Sequence, residues 1–165
     1  MKIRKATKDD LAAISAVEAE CFPAAEAADE KAFADRLAGY PDYFWLLYDE
    51  ETLVGFVNGM VTDLPDLTDE MYEKADMHNP EGKWQMIFGV DTIPSYRRKG
   101  CAAMLIEQVI REAEAQGREG LVLTCKDKLV HYYAKFGFVN EGVSESVHGG
   151  VTWYQMRLRF AGHTD

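Results

Sequence analysis

The chain has 165 residues, 47% of them apolar, and a formal net charge of −10. That length suits one domain with a core of its own, and the composition excludes a disordered chain; no apolar run nears the ~20 residues of a membrane span. The acidic balance argues against a nucleic-acid partner, whose phosphates would be repelled, and suits a cationic substrate.

Met1-Lys2-Ile3-Arg4-Lys5 is charged but has no apolar stretch or cleavage site after it, so it does not read as a signal peptide. Cys21, Cys101 and Cys125 are odd in number and show no paired spacing, which fits free thiols in a cytoplasmic protein. The histidines and cysteines are scattered, so no metal site is expected.

Lys2 to Lys5 alternates as a first strand. Thr7-Lys8-Asp9-Asp10 is a helix start, with Thr7 at the N-cap and Asp10 at the capping-box position. Leu11, Ile14, Val17, Ala19 and Cys21 follow at helical spacing until Phe22-Pro23 ends the helix. Ala24 to Leu37 is expected as a second helix, broken at Gly39-Tyr40-Pro41. Tyr43–Tyr48 and Thr52–Val61 read as a hairpin around Asp49-Glu50-Glu51, with Gly55 and Gly59 marking bulges or close backbone approach. Asp63 to Glu81 is irregular and acidic, with a short helix expected near Asp69–Lys74. It reads either as a lid that attracts an amine or as a solvated loop.

Lys83 to Thr92 is expected as a central strand, bulged at Gly89. The basic turn Arg97-Arg98-Lys99-Gly100 leads into a helix over Ala102–Gln116, capped by Gly117. Gly120–Cys125 is a buried strand and Leu129–Lys135 a short helix. A strand then runs from Phe138 to about Ser146, and His148-Gly149-Gly150 turns into a last strand, Val151–Arg159. The tail after Phe160 reads as frayed.

The turn before the long helix carries the chemistry. A helix N-terminus offers unpaired N–H groups and the positive end of a dipole, and so binds anions. Gly100 and the small Ala102 allow close approach, and three cationic side chains stand beside them. The spacing Arg97-x-x-Gly100-x-Ala102 resembles the pyrophosphate-binding signature of the GNAT N-acetyltransferases. Pro94-x-Tyr96-Arg97 leads into it, and Tyr132-Tyr133-Ala134-Lys135-Phe136-Gly137-Phe138 follows at the family's distance. Cys21-Phe22-Pro23, Met86-Ile87-Phe88-Gly89 and Val147-His148-Gly149-Gly150 with Trp153-Tyr154 are similar to the arylalkylamine N-acetyltransferases and their bacterial relatives.

The resemblance implies an α/β GNAT fold in a single domain spanning residues 1–165. Its central mixed, mostly antiparallel sheet has about seven strands, with about four helices on its faces. It implies an acetyl-CoA-dependent N-acetyltransferase working as monomer or homodimer on a primary amine, a small arylalkylamine or polyamine. The alternatives are a protein N-terminal or lysine acetyltransferase and a non-catalytic CoA-binding module. For the cofactor it implies Arg97, Arg98, Lys99, Gly100, Cys101, Ala102 and Ala103 at the pyrophosphate. In the family the preceding strand splays from its neighbour; here Val90, Asp91 and Thr92 would offer backbone to the pantetheine arm, with the Val90 N–H as oxyanion donor.

Tyr133, four residues before Gly137, matches the family's thiol-side acid and would also touch the cofactor; Tyr132 is the reserve. The vertebrate arylalkylamine enzymes place two histidines where this chain has Met86 and Phe88, so a histidine relay does not carry over. Glu20, Glu26 and His148 are the candidate bases, whereas His78 and His163 read as exposed and His131 as structural. Phe22, Trp45, Phe88 and Trp153 could line an aromatic acceptor slot. Cys101 at a helix start invites a nucleophilic reading, which the lack of a supporting His or Asn at recognisable spacing argues against.

Overall fold

A computed structural model of the chain describes residues 1–161, so the expectations for His163 and most of the tail lie outside the described residues. The chain forms two compact units. One comprises residues 1–59 and 89–109, the other residues 60–88 and those from 110 onward. Each has its own sheet, where the sequence suggested one. No helix of the described residues is long and apolar enough to cross a membrane.

The first unit is built on an antiparallel sheet in the order β1-β2-β3-β6. Its strands are Lys2–Lys5 (β1), Phe44–Asp49 (β2), Thr52–Asn58 (β3) and Gly89–Thr92 (β6). The expected capping box is present: the Asp9 N–H donates to Thr7 Oγ1 at 3.2 Å and the Thr7 N–H donates to Asp10 Oδ2 at 2.8 Å. It opens a short 3-10 turn that leads into α1, Leu11–Cys21, which ends at Phe22 in an extended conformation before Pro23. Helix α2 runs Glu30–Gly39 and not from Ala24. Pro23 O draws the Glu26 and Ala27 amides into a turn, and the Asp29 carboxylate caps the helix from the Ala32 N–H at 2.8 Å. Phe33 on α2 meets Phe44 and Phe56 edge-on at 6.2 and 5.8 Å, so the aromatic core lies between α2 and the sheet.

The second unit orders its strands β4-β5-β7-β9-β8, with β5 and β7 parallel and the other pairs antiparallel. These are Val61–Thr62 (β4), Trp84–Ile87 (β5), Gly120–Cys125 (β7), Val139–Val143 (β8) and Tyr154–Arg159 (β9). Helices α3 (Asp69–Glu73) and α5 (Asp127–Ala134) belong to this unit. Helix α4, Cys101–Ala115, spans the boundary, and Gly117, at φ +80°, follows it.

Two expected strands divide between the sheets. Thr52–Val61 breaks at Gly59, with Val61 passing to β4. Lys83–Thr92 breaks at Phe88, so that β5 pairs with β7 while β6 pairs with β3. Gly55 explains why β6 can lie so close to β3: a Cβ there would collide with the backbone carbonyl of Asp91. We expect Gly55→Ala to lower stability by about 1–3 kcal/mol, the usual cost of overpacking. Urea denaturation checks this through a lowered midpoint at unchanged slope.

Candidate active site

Strand β6 presents its backbone in alternation. Ile93 N–H donates to Val54 O at 2.9 Å, and antiparallel bonding repeats every second residue, so Asp91, which faces Phe56, bonds into β3. The backbone groups of Val90 and Thr92 point the other way, along the outer edge of this end strand. Of the three residues expected to offer backbone, Val90 and Thr92 are therefore turned outward and Asp91 is not. Thr92 O already receives Cys21 Sγ at 3.3 Å and Arg97 Nε at 3.1 Å, which ties the end of α1 and the basic turn to the strand.

After Tyr96, whose hydroxyl donates to Asp49 at 2.7 Å, the chain turns through Arg98 at φ +62° and Gly100 at φ +82°. Met104 N–H donates to Gly100 O at 3.0 Å, which makes Gly100 the N-cap of α4. The N–H groups of Cys101, Ala102 and Ala103 then have no acceptor within the helix. Arg97, Arg98, Lys99 and Gly100 are exposed, and nothing lies within 4 Å of where a Gly100 Cβ would stand. Unpaired amides, a positive dipole end, three cations and an open backbone are the donor set that a pyrophosphate requires. Cys101 is buried and its Sγ lies 3.9 Å from Met1 Sδ, so the thiol is not presented as a nucleophile.

The candidate bases differ in setting. Glu20 is exposed on α1, whereas Glu26 is half-buried in the turn after Pro23 with Oε1 shielded from solvent. His148 belongs to the second unit, where its ring stacks on Tyr72 at 5.3 Å and its carbonyl accepts the Trp153 indole N–H at 2.7 Å. Tyr72 also meets Phe88 at 4.8 Å, and His148 lies 6.2 Å from Trp153. Of the expected aromatic slot, Phe88 and Trp153 thus join Tyr72 and His148. Trp45 does not: it is a core residue of the first unit, 1% exposed, with the Lys5 ammonium over its ring. Tyr133 is buried on α5, its ring edge-on to Tyr132 and Phe138 at 5.3 and 6.1 Å.

The acidic segment is fastened within its unit. Asp66 takes Arg157 Nη2 at 2.7 Å, and Glu141 takes Arg157 Nε at 2.9 Å. Asp69 accepts from Ser146 Oγ at 2.5 Å and from the Val147 N–H at 3.0 Å. His78 Nδ1 accepts from the Val61 N–H at 3.0 Å; burial, with Arg118 nearby, lowers its pKa to about 4, so it is a neutral structural group. Tyr72 was missed because nothing in an acidic loop marks one tyrosine. Asp91 as a side chain did leave a signal: it is the one charged residue in the run Trp84–Tyr96.

A basic turn at a helix N-terminus after an end strand defines a class, and the comparisons agree with it. The profile of the Acetyltransferase (GNAT) family matches residues 11–138, and the chain belongs to that family. It is 26% identical over 117 residues to the serotonin N-acetyltransferase of Mesocricetus auratus, covering 70% of this chain. The match spans 55% of that relative's length. Among solved structures it is similar to the GNAT-like decarboxylase GphF in complex with isobutyryl-CoA, with a TM-score of 0.83, 22% identity and coverage of 96% of this chain and 99% of that one. It is also similar to the ribosomal-protein-S18-alanine N-acetyltransferase of Escherichia coli, with a TM-score of 0.73, 19% identity and coverage of 99% and 97%. Likeness at that identity shows the GNAT fold.

Removing the Asp69 carboxylate should release the turn it holds. In Asp69→Ala the Val147 amide should exchange with solvent roughly tenfold faster or more, the loss of one charge-assisted bond. Native-state hydrogen exchange reads this directly.

Proposed function

We propose that the protein is an acetyl-CoA-dependent N-acetyltransferase that acetylates a small primary amine by direct attack. An arylalkylamine is the acceptor class its residues fit best. The reading rests on the turn from Arg97 to Ala103, whose open Gly100, unpaired amides and three cations fit the cofactor's pyrophosphate. The family match supports it and, because it crosses both units, also supports a single domain over residues 1–165. The three free cysteines support a cytoplasmic setting.

Acetyl-CoA supplies an activated thioester when bound. What remains to the chain is to hold it, to stabilise developing charge and to move two protons. Arg97, Arg98 and Lys99 with the amides of Gly100 to Ala103 hold the phosphates, and the backbone of Val90 and Thr92 holds the pantetheine arm. The Val90 N–H is the fixed donor for negative charge growing on the acyl oxygen. Tyr133 is the acid at the sulfur, and its largely buried ring keeps the phenol in one orientation. Glu26, more inward than Glu20, takes the ammonium proton through water in this reading. His148 is the alternative base.

The chain formed by Tyr72, Phe88, His148 and Trp153 is apolar, aromatic and half-exposed, and the acidic segment contributes Tyr72 to it. That favours a flat ring joined to an ammonium over a bare polyamine. A protein N-terminus or lysine is the second class to test; the Escherichia coli structure is named for an alanine of ribosomal protein S18.

CoA release should be followed with acetyl-CoA and isobutyryl-CoA against arylalkylamines, polyamines and peptides. Saturable turnover is expected on arylalkylamines with acetyl-CoA; turnover confined to peptides would replace the acceptor assignment. Gly100→Glu should weaken CoA binding by about 100-fold or more, roughly 3 kcal/mol of lost approach and added like charge. Calorimetry giving unchanged affinity would remove the phosphate assignment. Tyr133→Phe should cut kcat by about 100-fold or more; an unchanged kcat would remove Tyr133 as acid, and CoA binding without any turnover would point to the non-catalytic module.

A further inference from the structure

Helix α1 lies against β3 and β6 and turns Ile14, Val17 and Glu18 inward. Glu18 is out of place in that apolar row, as Asp91 is in its strand. Asp91 is fully buried, and neither carboxylate oxygen receives a hydrogen bond from an N–H or O–H donor among the described residues. Helix α1 packs on its strand, and the Glu18 carboxyl interacts with it side chain to side chain. Glu18 is itself 7% exposed, and its Oε2 accepts the Ala28 N–H at 2.9 Å. Cys21 on α1 and Arg36 on α2 also face Asp91. The Arg36 guanidinium is directed to Asn58 Oδ1 at 3.0 Å.

Two buried carboxyls in contact cannot both ionise, and they can bond to each other only when one carries a proton. The Ala28 amide bonds to Glu18, whereas among the described residues no hydrogen-bond donor reaches Asp91 and only the Arg36 charge opposes its protonation. The proton therefore belongs to Asp91, whose carboxyl is held well above the usual range by burial first and by the Glu18 charge second.

We propose that Glu18 and Asp91 share one proton and act as positioning residues, clamping α1 and the 22–28 segment to the strand that carries Val90. Glu18 reaches the segment through Ala28 and the strand through Asp91. Glu26 lies within that segment, so the clamp sets where the proposed base stands. Only this kinetic consequence rests on the acetyl-transfer reading; the shared proton does not.

The sign follows from the raised value. Native Asp91 keeps its proton at a pH where the unfolded chain has lost it. The stability it contributes is full below the ordinary carboxylate range and is lost as pH rises toward the native value. In Asp91→Asn the amide donates to Glu18 at every pH. In Glu18→Gln the amide can donate to an ionised Asp91 while its oxygen still accepts from Ala28.

The test is thermal unfolding of the full chain from pH 5 to pH 8.5 for wild type, Asp91→Asn, Glu18→Gln and the double variant. Within the window, the wild-type Tm should fall relative to either single variant by about 3–5 °C per pH unit, the linkage slope for one proton in a domain of this size. The double variant should show no further change in slope. Parallel curves for wild type and Asp91→Asn would overturn the proposal. Infrared spectra of wild type at neutral pH give a second measurement should the variants not fold: a protonated carboxylic acid band is expected, and its absence is equally fatal. In turnover, the acceptor KM of wild type should rise across the same window while that of Asp91→Asn stays level. If the melting curves differ in slope but no amine is acetylated, the clamp stands and the acetyl-transfer reading falls.

Discussion

Four residues of β6, hydrogen-bonded to β3, set the geometry on which the first unit's chemistry depends. The register Gly55↔Thr92 to Asn58↔Gly89 fixes which backbone groups of β6 are consumed by the sheet and which are left over. Period-two bonding gives Asp91 to β3 and leaves Val90 and Thr92 facing outward. A slip of one residue would exchange those roles and put the Asp91 carboxyl on the other face of the sheet, away from Glu18. The absence of a side chain at Gly55 is what permits the close approach at the Asp91 carbonyl.

From that strand the basic turn inherits its position. Arg97 Nε returns to Thr92 O, so the guanidinium is anchored to the strand end. The positive φ values at Arg98 and Gly100 then swing the chain into α4 within a few residues. Helix, turn and strand form one continuous piece of backbone. The basic turn and the Val90 backbone are thereby kept at a separation that side-chain motion cannot alter.

Much of this was legible in the sequence because it rests on local rules. The capping box at Thr7, the stop at Phe22-Pro23, the hairpin around Glu50, the cap at Gly117 and the basic turn before α4 are each decided by neighbours within a few residues. What escaped depends on distant partners. Asp29 outcompeted the alanines of 24–28 as a helix start because Pro23 O drew the intervening amides into a turn, and propensity alone does not register that. The run from Lys83 to Thr92 is evenly apolar, so nothing in it announces that its halves serve different sheets. Trp45 looked like a binding residue by type, yet its register between Lys5 and Val57 buries it. Glu18 and Asp91 are polar intrusions in apolar rows that drew no notice in the sequence, because they lie 73 positions apart in the chain and only packing joins them.

The fastening of the acidic segment bears on how such a protein can change over time. Asp66 is locked to Arg157, and Asp69 to the turn at Ser146–Val147, so Tyr72 is carried on a fixed wall. An exchange at position 72 recuts the surface without disturbing the two anchors, and each anchor can persist while the residues between them diverge. A lineage holding this arrangement can vary that surface one side chain at a time, with no hinge to retune at each step.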